Sequence, residues 1–258
     1  MSILFSGDFH NGARGELAYL TKDCLIKKYG RESYDGIKYH VILGDGGFLW
    51  PGQQQREASN LKTLSERPFP VLCVCGNHEP VLGRADLPEI DIGIGEKVTV
   101  VSEANPLVAY LKRGRVYHID NRKFLVLGGA LSVDKYRRQP GVTWWENEYW
   151  TEEEEAALFA LLEKDRDFDY VLSHTGPNRI NEEVFFFRPD IDGMKFSDKV
   201  AALNDRIDAR ITCRQWLCGH WHHTFYYRDE ELNRGYRYLY EDTILMVGDA
   251  GLEFQGED

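Results

Sequence analysis

Aspartate, asparagine and histidine recur directly after short apolar runs in this sequence. The motif Gly76-Asn77-His78-Glu79 follows the apolar run 71–75. The other residues of this kind are Asp8, His10, Asp45, His174, His220 and His222. A glycine at the end of a strand lets the chain turn tightly and leaves the next side chains at the carboxyl edge of a sheet. We therefore expect these residues to meet at one edge.

Seven of these residues are candidate metal ligands, namely Asp8, His10, Asp45, Asn77, His174, His220 and His222. A mixed nitrogen and oxygen set without thiolate suits Mn, Fe, Zn or Ni better than Ca or Mg. The set is too large for one tetrahedral ion, whereas two ions that share a carboxylate would use all of it. Paired divalent ions about 3.5–4 Å apart are typical of phosphoryl-transfer sites. The sequence thus predicts two divalent ions, manganese first, with Fe, Zn or Ni as alternatives.

Predicted strands and helices alternate in the first third of the chain. They are strands 2–7, 39–43 and 71–75 and helices 14–29 and 53–66. Apolar residues at helical spacing indicate the helices, and continuous apolar runs indicate buried strands. This order is typical of βαβ units in an α/β domain.

The remainder of the chain is richer in strands. Residues 80–105 and 178–197 are predicted to be mostly irregular. A meander at 107–112, 115–119 and 123–127 indicates a second sheet or the antiparallel side of a mixed one. A capping box formed by Thr151 and Glu154 predicts a helix start. Further predicted elements are strand 169–173, helix 198–209, strand 214–218 and strands near 222–228, 236–240 and 243–247.

The segment 128–150 is the substrate-side loop of our prediction. It combines Arg137 and Arg138 with the aromatic residues Trp144, Trp145, Tyr149 and Trp150. One interpretation is a loop whose aromatic side chains pack over the sheet. The other is a lid that offers arginines to a phosphate and rings to an organic group. Arg137, Arg138, Asn178 and Arg179 are our candidate substrate-binding residues.

Composition limits the function classes. The chain has 258 residues, 43% hydrophobic content and a net charge of −11, which indicates a single globular domain over 1–258 and disfavours binding to long nucleic acid. Five scattered cysteines without a C-x-x-C pair predict reduced thiols and a cytoplasmic protein. No apolar run approaches the length of a membrane span, so membrane insertion is not expected. The expected partner is a phosphorylated small molecule or a nucleotide-like substrate.

The motifs, taken in order, resemble those of the calcineurin-like metallophosphoesterase superfamily. The resemblance implies an α/β fold, a four-layer α/β/β/α sandwich of two mixed sheets, and a hydrolase, either a phosphatase or a phosphodiesterase. By analogy, Asp8, His10, Asp45 and His222 would hold one metal, and Asp45 would bridge to a second held by Asn77, His174 and His220. The dinuclear centre would activate a hydroxide for in-line attack, with Asp45 and His78 as the catalytic residues. His78 would stabilise the transition state or protonate the leaving oxygen.

Two departures from the family pattern qualify this expectation. Asn11 separates His10 from Gly12, and Gly46-Gly47-Phe48 stands where the protein-phosphatase branch carries an acidic residue and an arginine. That acidic residue orients the catalytic histidine, so the partner of His78 is open.

Two other interpretations compete with the hydrolase. A non-catalytic interaction module that keeps this fold is the alternative function, but such a protein should have lost ligands. A TIM-barrel amidohydrolase would carry its H-x-H on the first strand and not near the end. His40, His118 and His223 are expected to be structural, and Glu79 to support the ligands or to belong only to the motif.

Overall fold

The computed structural model describes residues 2–8, 20–47, 49, 55, 58–59, 61–62, 67–79, 86–101, 108–185, 190–191, 194–195, 198–248 and 253–255. Within these ranges the strands, in chain order, are β1 Ser2–Ser6, β2 Ile37–Ile42, β3 Val71–Cys73, β4 Glu89–Ile90, β5 Val98–Val100, β6 Val108–Tyr110, β7 Arg115–Ile119, β8 Arg122–Val126, β9 Tyr170–Leu172, β10 Asp190–Ile191, β11 Met194–Lys195, β12 Gln215–Cys218, β13 Phe225–Asp229, β14 Arg234–Tyr238, β15 Thr243–Val247 and β16 Glu253–Gln255. The α-helices are α1 Lys22–Tyr29, α2 Arg31–Asp35, α3 Glu152–Leu162, α4 Asn178–Phe185 and α5 Lys199–Asp208.

The described strands form two mixed sheets and a small hairpin, β10-β11. The first sheet has the order β16-β15-β1-β2-β3-β6-β5-β4, and β1, β2, β3 and β6 run parallel. The second sheet has the order β13-β14-β12-β9-β8-β7, and β8, β9, β12 and β14 run parallel. Parallel neighbours place their carboxyl ends at the same edge of a sheet.

Apolar side chains fill the space between the two sheets. Ile3 and Phe5 of β1 belong to the same buried cluster as Leu172 of β9 and Leu217 of β12. Leu4 points to the opposite face, because successive side chains alternate along a strand. The inner faces of both sheets therefore form one shared core.

Helices cover the outer face of each sheet. Leu25 of α1 and Tyr34 of α2 pack with Leu4 on the first sheet. Leu158 of α3 and Ile207 of α5 pack with Trp216 on the second sheet. The α/β/β/α arrangement of two mixed sheets that the sequence led us to expect is confirmed.

Several predicted boundaries were wrong. Helix 14–29 begins only at Lys22, because Thr21 caps it by accepting a hydrogen bond from the amide of Cys24; residues 9–19 lie outside the described part. The described part of 80–105 is mostly irregular, as predicted, and the short strands β4 and β5 within it are too brief to give a period of two. The segment 178–197 contains α4 and the hairpin, since Pro177 begins a helix, its carbonyl accepting from the amide of Asn181.

The predicted meander is divided between the sheets. Strand β6 pairs with β3 in the first sheet, whereas β7 and β8 pair in the second. The capping box of Thr151 and Glu154 is confirmed. All five cysteines are free thiols, as expected, and only Cys24 is exposed. Within the described ranges, no helix is long and apolar enough to cross a membrane.

Candidate metal centre

Loops that follow five parallel strands bring most of the predicted ligands together. Asp8 follows β1, Asp45 follows β2 and Asn77 follows β3, while His174 and His220 follow β9 and β12. The Nε2 of His174 lies 3.3 Å from Oδ2 of Asp45, so the edges of the two sheets converge. The sequence prediction that these residues meet is correct for this group.

Three potential acceptors converge beside His174. Its Nδ1 lies 2.8 Å from the carbonyl oxygen of Leu43, and a carbonyl can only accept. A neutral His174 therefore carries its proton on Nδ1 and directs the Nε2 lone pair toward Oδ1 of Asn77, 3.0 Å away, and toward Asp45. Acceptors that face one another repel unless a proton or a cation lies between them.

Asp8 and the histidines after β12 form the adjoining part of the centre. His222 Nε2 lies 3.4 Å from Oδ2 of the buried Asp8. The His220 ring lies 5.1 Å from the His174 ring, centroid to centroid. Among the described residues, the buried Nε2 of His220 has no hydrogen-bond partner. The side chain of His222 is half exposed, so this side of the centre is open to solvent.

Backbone conformation at the ligands is unusual. Asp8, Asp45, His220 and His222 all have positive φ, at 21°, 50°, 71° and 50°. Non-glycine residues seldom adopt this conformation, and each instance costs of order 1–3 kcal/mol. Asp120, Asn121, Asn233 and Glu241, outside the site, share this conformation, so positive φ accompanies the ligand loops but is not specific to them.

Two glycines of the motifs are required by close approach. A Cβ on Gly44 would overlap the ring of His174, and a Cβ on Gly76 would overlap the carboxylate of Asp45. Gly44 also has a φ of 90°. The glycines therefore make room for ligands from neighbouring loops, in addition to turning the chain.

The two buried histidines differ in their affinity for protons. Burial alone would lower the pKa of His174, but the Asp45 carboxylate outweighs it and raises the pKa to about 9. Burial and the neighbouring His174 lower the pKa of His220 well below its usual range. A proton on His174 thus balances the carboxylates, while His220 remains a neutral donor of a lone pair.

His78 contacts both Asp45 and the segment 128–150. Its backbone amide donates to Oδ1 of Asp45 at 3.0 Å, and its Nε2 lies 3.7 Å from Oδ2. Arg138 Nη1 lies 2.6 Å from Nδ1 of His78 and Nη2 lies 3.2 Å from Nε2. Since a guanidinium only donates, Nδ1 accepts in the shorter contact, and a neutral ring then carries its proton on Nε2. Arg138 is thus a hydrogen-bond partner of His78, which the sequence alone did not identify.

Glu79 supports the ligand loops. Its carboxylate accepts hydrogen bonds from the amides of Gly76 and Gly47 and from the hydroxyl of Tyr110, at 2.9, 3.1 and 2.8 Å. Burial and the neighbouring Asp45 raise the pKa of Glu79 to about 7. These hydrogen bonds agree with the supporting role expected of Glu79. The position of an acidic residue within a ligand motif is the sequence feature that indicates this role.

The segment 128–150 combines both interpretations given to it. Arg138 reaches His78, and Asp134 accepts from its Nε at 2.5 Å. The aromatic residues instead pack inward: Trp144 is buried with Lys135 Nζ 3.9 Å from its ring centroid, and Trp150 donates to the Gly128 carbonyl at 2.9 Å. Arg138 thus contacts the site, whereas Trp144 and Trp150 pack within the fold.

Three of the four candidate substrate-binding residues do not join the centre. The guanidinium of Arg137 lies over the ring of Tyr136. Asn178 donates to Glu182 within α4, and Arg179 forms ion pairs of 2.6 and 2.7 Å with Asp208 and Asp229. The sequence could not separate Arg179 from Arg138, because the ion-pair partners of Arg179 are distant in the chain.

The residues present fit a pair of divalent ions in their chemistry. The donors are carboxylate, imidazole and amide, and the buried Nε2 of His220 is available to a cation. Among the described residues no three His, Cys, Asp or Glu side chains are grouped closely enough to hold one ion. Asn77 is not of these types, and the predicted ligand His10 lies outside the described residues.

Comparisons with known proteins bear on the fold and the family. The protein TT1561 of Thermus thermophilus is 13% identical, the match covers 95% of this chain and 93% of that one, and the TM-score is 0.51. The phosphopantetheinyl hydrolase PptH from Mycobacterium tuberculosis is 15% identical, with 93% and 90% covered and a TM-score of 0.49. No curated protein matches the chain. The family model for calcineurin-like phosphoesterases matches residues 1–224, and the chain therefore belongs to that family.

Proposed function

We propose that this protein hydrolyses phosphate esters of small or nucleotide-like molecules with two divalent metal ions. Family membership implies metal-dependent phosphoester hydrolysis in general. Asp8, His10, Asp45 and His222 would hold one ion, and Asn77, His174 and His220 would hold the second together with the shared Asp45. The ions supply an activated water and positive charge for the phosphate oxygens.

One observation carries the proposal. The Nε2 of His174 lies 3.0 and 3.3 Å from oxygens of Asn77 and Asp45. The three groups come from loops of both sheets and are buried, so a proton or a cation, and not bulk water, must lie between them. A divalent cation would replace the His174 proton and use all three groups as ligands.

The neighbouring residues supply the remaining chemistry. A neutral His78 holds a proton on Nε2, with which it can donate a hydrogen bond to the charge that develops on the ester oxygens in the transition state. Arg138 presents two guanidinium nitrogens at the same ring and can bind a phosphate oxygen with the planar fork that suits this group. The exposed side of His222 leaves room for the organic part of a substrate.

The non-catalytic alternative is less well supported. A module that only binds a partner has no need to bring the buried carboxylates of Asp8 and Asp45 together with His174 at one edge of the sheets. The mixed nitrogen and oxygen ligands suit Mn, Fe, Zn or Ni, and manganese is the first of these to test. The free thiols support a cytoplasmic location.

The test compares a phosphomonoester with a diester. Metal-stripped protein is refilled with manganese and assayed with p-nitrophenyl phosphate and bis(p-nitrophenyl) phosphate, and the reaction is repeated with Fe, Zn and Ni. Asp45→Asn should abolish turnover, whereas Asp35→Asn, the same change at an exposed position of α2, should leave it intact. The preferred ester decides between phosphatase and phosphodiesterase. Two bound ions without turnover of either ester would favour the interaction module.

A further inference from the structure

A buried hydrogen-bonded chain runs from the candidate ligand Asn77 into the segment 128–150. Asn77 Nδ2 donates to the hydroxyl of Ser132 at 3.0 Å, and that hydroxyl donates to Oε2 of Glu148 at 2.6 Å. The three residues are 4%, 1% and 2% exposed. Neither Ser132 nor Glu148 belongs to the ligand motifs that follow the strands.

The carboxylate of Glu148 determines which group donates in each of these hydrogen bonds. A carboxylate only accepts, so the single proton of the Ser132 hydroxyl goes to Glu148, and the oxygen is left to accept from Asn77. The amide of Asn77 must then direct its nitrogen toward Ser132 and its oxygen toward His174. An asparagine amide could otherwise take either orientation, since the two ends have the same shape.

We propose that Glu148, acting through Ser132, is a positioning residue that holds the Asn77 amide oxygen toward the metal centre. The inference rests on the proposed function, because orientation matters only if Asn77 binds a cation. With the amide reversed, an NH₂ group would face the cation and repel it. Hydrogen-bond partners behind a ligand commonly alter metal affinity or activity 10–100-fold when they are removed.

Glu148 is itself held in place from both sides. Arg113 donates to the carbonyl oxygens of Asn147 and Tyr149 at 3.0 and 2.9 Å, one residue on each side of Glu148. Gly129, with a φ of 83°, lets the Glu148 carbonyl approach so closely that a Cβ would overlap it. The carboxylate therefore has a fixed position relative to β3 and its loop, because Gly129 also donates to Cys75 at 2.9 Å.

Burial has a defined effect on this carboxylate. It raises the pKa of Glu148, and the hydrogen bond from Ser132 opposes that rise. Alkaline conditions favour the ionised form, which only accepts, so the measurements are made at pH 8. Glu148→Gln is the informative variant at this position, because it keeps the shape but supplies an amide that can also donate. The Ser132 hydroxyl can then reverse and donate to Asn77.

The experiment measures metal binding directly and uses the full chain. Metal-stripped protein is titrated with Mn²⁺ at pH 8, and free ion is followed by its electron paramagnetic resonance signal. Glu148→Gln should weaken one of the two binding steps by roughly 10–100-fold. Glu146→Gln, the same charge change in the same short helix Glu146–Glu148 but at an exposed position, should match the wild type. Thermal unfolding of each variant checks that the fold is kept.

A spectroscopic measurement separates orientation from general loosening. The visible absorption of bound Co²⁺ reports the ligands, and we expect it to change in Glu148→Gln and in Ser132→Ala. If the hydrogen bonds from Asn77 to Glu148 act as one unit, the double variant should bind Mn²⁺ no more weakly than one of the single variants does.

The possible outcomes distinguish this inference from the proposed function. Equal affinity and equal Co²⁺ spectra for Glu148→Gln, Ser132→Ala and Glu146→Gln, with two ions bound by the wild type, would overturn the positioning role alone. A wild-type chain that binds no Mn²⁺ would overturn the proposed function and with it the role of Asn77 as a ligand.

Discussion

Two polar clusters in this protein balance their carboxylates in different ways. On the outer side of the second sheet, Arg179 and Arg234 both form ion pairs with Asp208, and Arg179 also binds Asp229. We call this group the arginine network. At the strand ends, the carboxylates of Asp45 and Asp8 face His174 and His222. We call this group, with Asn77, the strand-end cluster.

The difference is one of permanence. A guanidinium keeps its charge throughout the accessible pH range, so the arginine network is always neutralised within the fold. Imidazoles are neutral donors near neutral pH and can exchange a proton for a metal ion. The fold thus uses the same type of side chain in two ways. Aspartates paired with arginines are permanently neutralised, whereas aspartates beside imidazoles can exchange a proton for a metal ion.

The largest expected effect tests whether the strand-end cluster is functional rather than structural. Asp45→Asn should lower kcat/KM for the preferred nitrophenyl ester about 10⁴-fold, because the shared ligand is lost. At pH 10, above the pKa of His174, it should leave the free energy of unfolding of the metal-free protein unchanged or higher, since repulsion within the cluster is relieved. Steady-state kinetics and urea unfolding measure the two quantities. A large loss of stability with unchanged turnover of the folded fraction would show that the strand-end cluster is structural, like the arginine network.

The next effect should show the opposite pattern. Asp208→Asn removes the acidic partner of two arginines, one of which, Arg234, is buried. Breaking a buried pair in this way costs about 3–5 kcal/mol. Urea unfolding should show this loss, while kcat/KM per folded molecule stays within about twofold of the wild type. A large loss of kcat/KM in the stable fraction would indicate that the network supports the site after all.

The strand-end cluster could be predicted from sequence because each ligand adjoins the strand that positions it. Five apolar runs followed by Gly-Asp, Gly-Asn-His, Ser-His or Gly-His-x-His locate Asp8, Asp45, Asn77, His174 and His220 without knowledge of the fold. The paired parallel strands then bring the ligands together. The position of each ligand in the fold therefore follows from the strand that precedes it in the sequence.

The remaining features depend on contacts between distant parts of the chain. Glu148 lies 71 residues after Asn77, and Arg138 lies 60 residues after His78. Nothing in the composition of 128–150 distinguishes Arg138 from Arg137, because only the Asp134 contact and the path of the loop do so. The same limitation explains why Arg179 was predicted as a substrate contact, when its partners are on α5 and β13.

A moderate effect is expected where a guanidinium meets the strand-end cluster. Arg138→Ala should raise KM roughly tenfold to a hundredfold, because a hydrogen bond to a charged group contributes about 1.5–3 kcal/mol. The turnover number should fall less. Arg137→Ala removes the adjacent arginine, whose guanidinium lies over Tyr136, and should change KM little. Equal effects of the two substitutions would show that a general positive charge, and not the contact with His78, binds the substrate.

The smallest effect concerns the response of the arginine network to acid. Burial alone would raise the pKa of Asp229, but hydrogen bonds from the Leu232 amide and from Arg179 outweigh it, and the pKa is lowered from 3.8. A lowered pKa in the folded state means that this carboxylate stabilises the fold above its unfolded pKa and loses that contribution as pH falls through the folded value.

The free energy of unfolding of the wild type should therefore decline more steeply between pH 5 and pH 2 than that of Asp229→Asn, and the two curves should converge at the acid end. Urea unfolding at a series of pH values measures this difference. The exposed control Asp35→Asn should run parallel to the wild type, because no partner of comparable strength holds that carboxylate. If Asp229→Asn also runs parallel, the Arg179 pair contributes nothing that depends on the charge of Asp229. The contrast between permanent and exchangeable neutralisation would then rest on Asp208 and Arg234 alone.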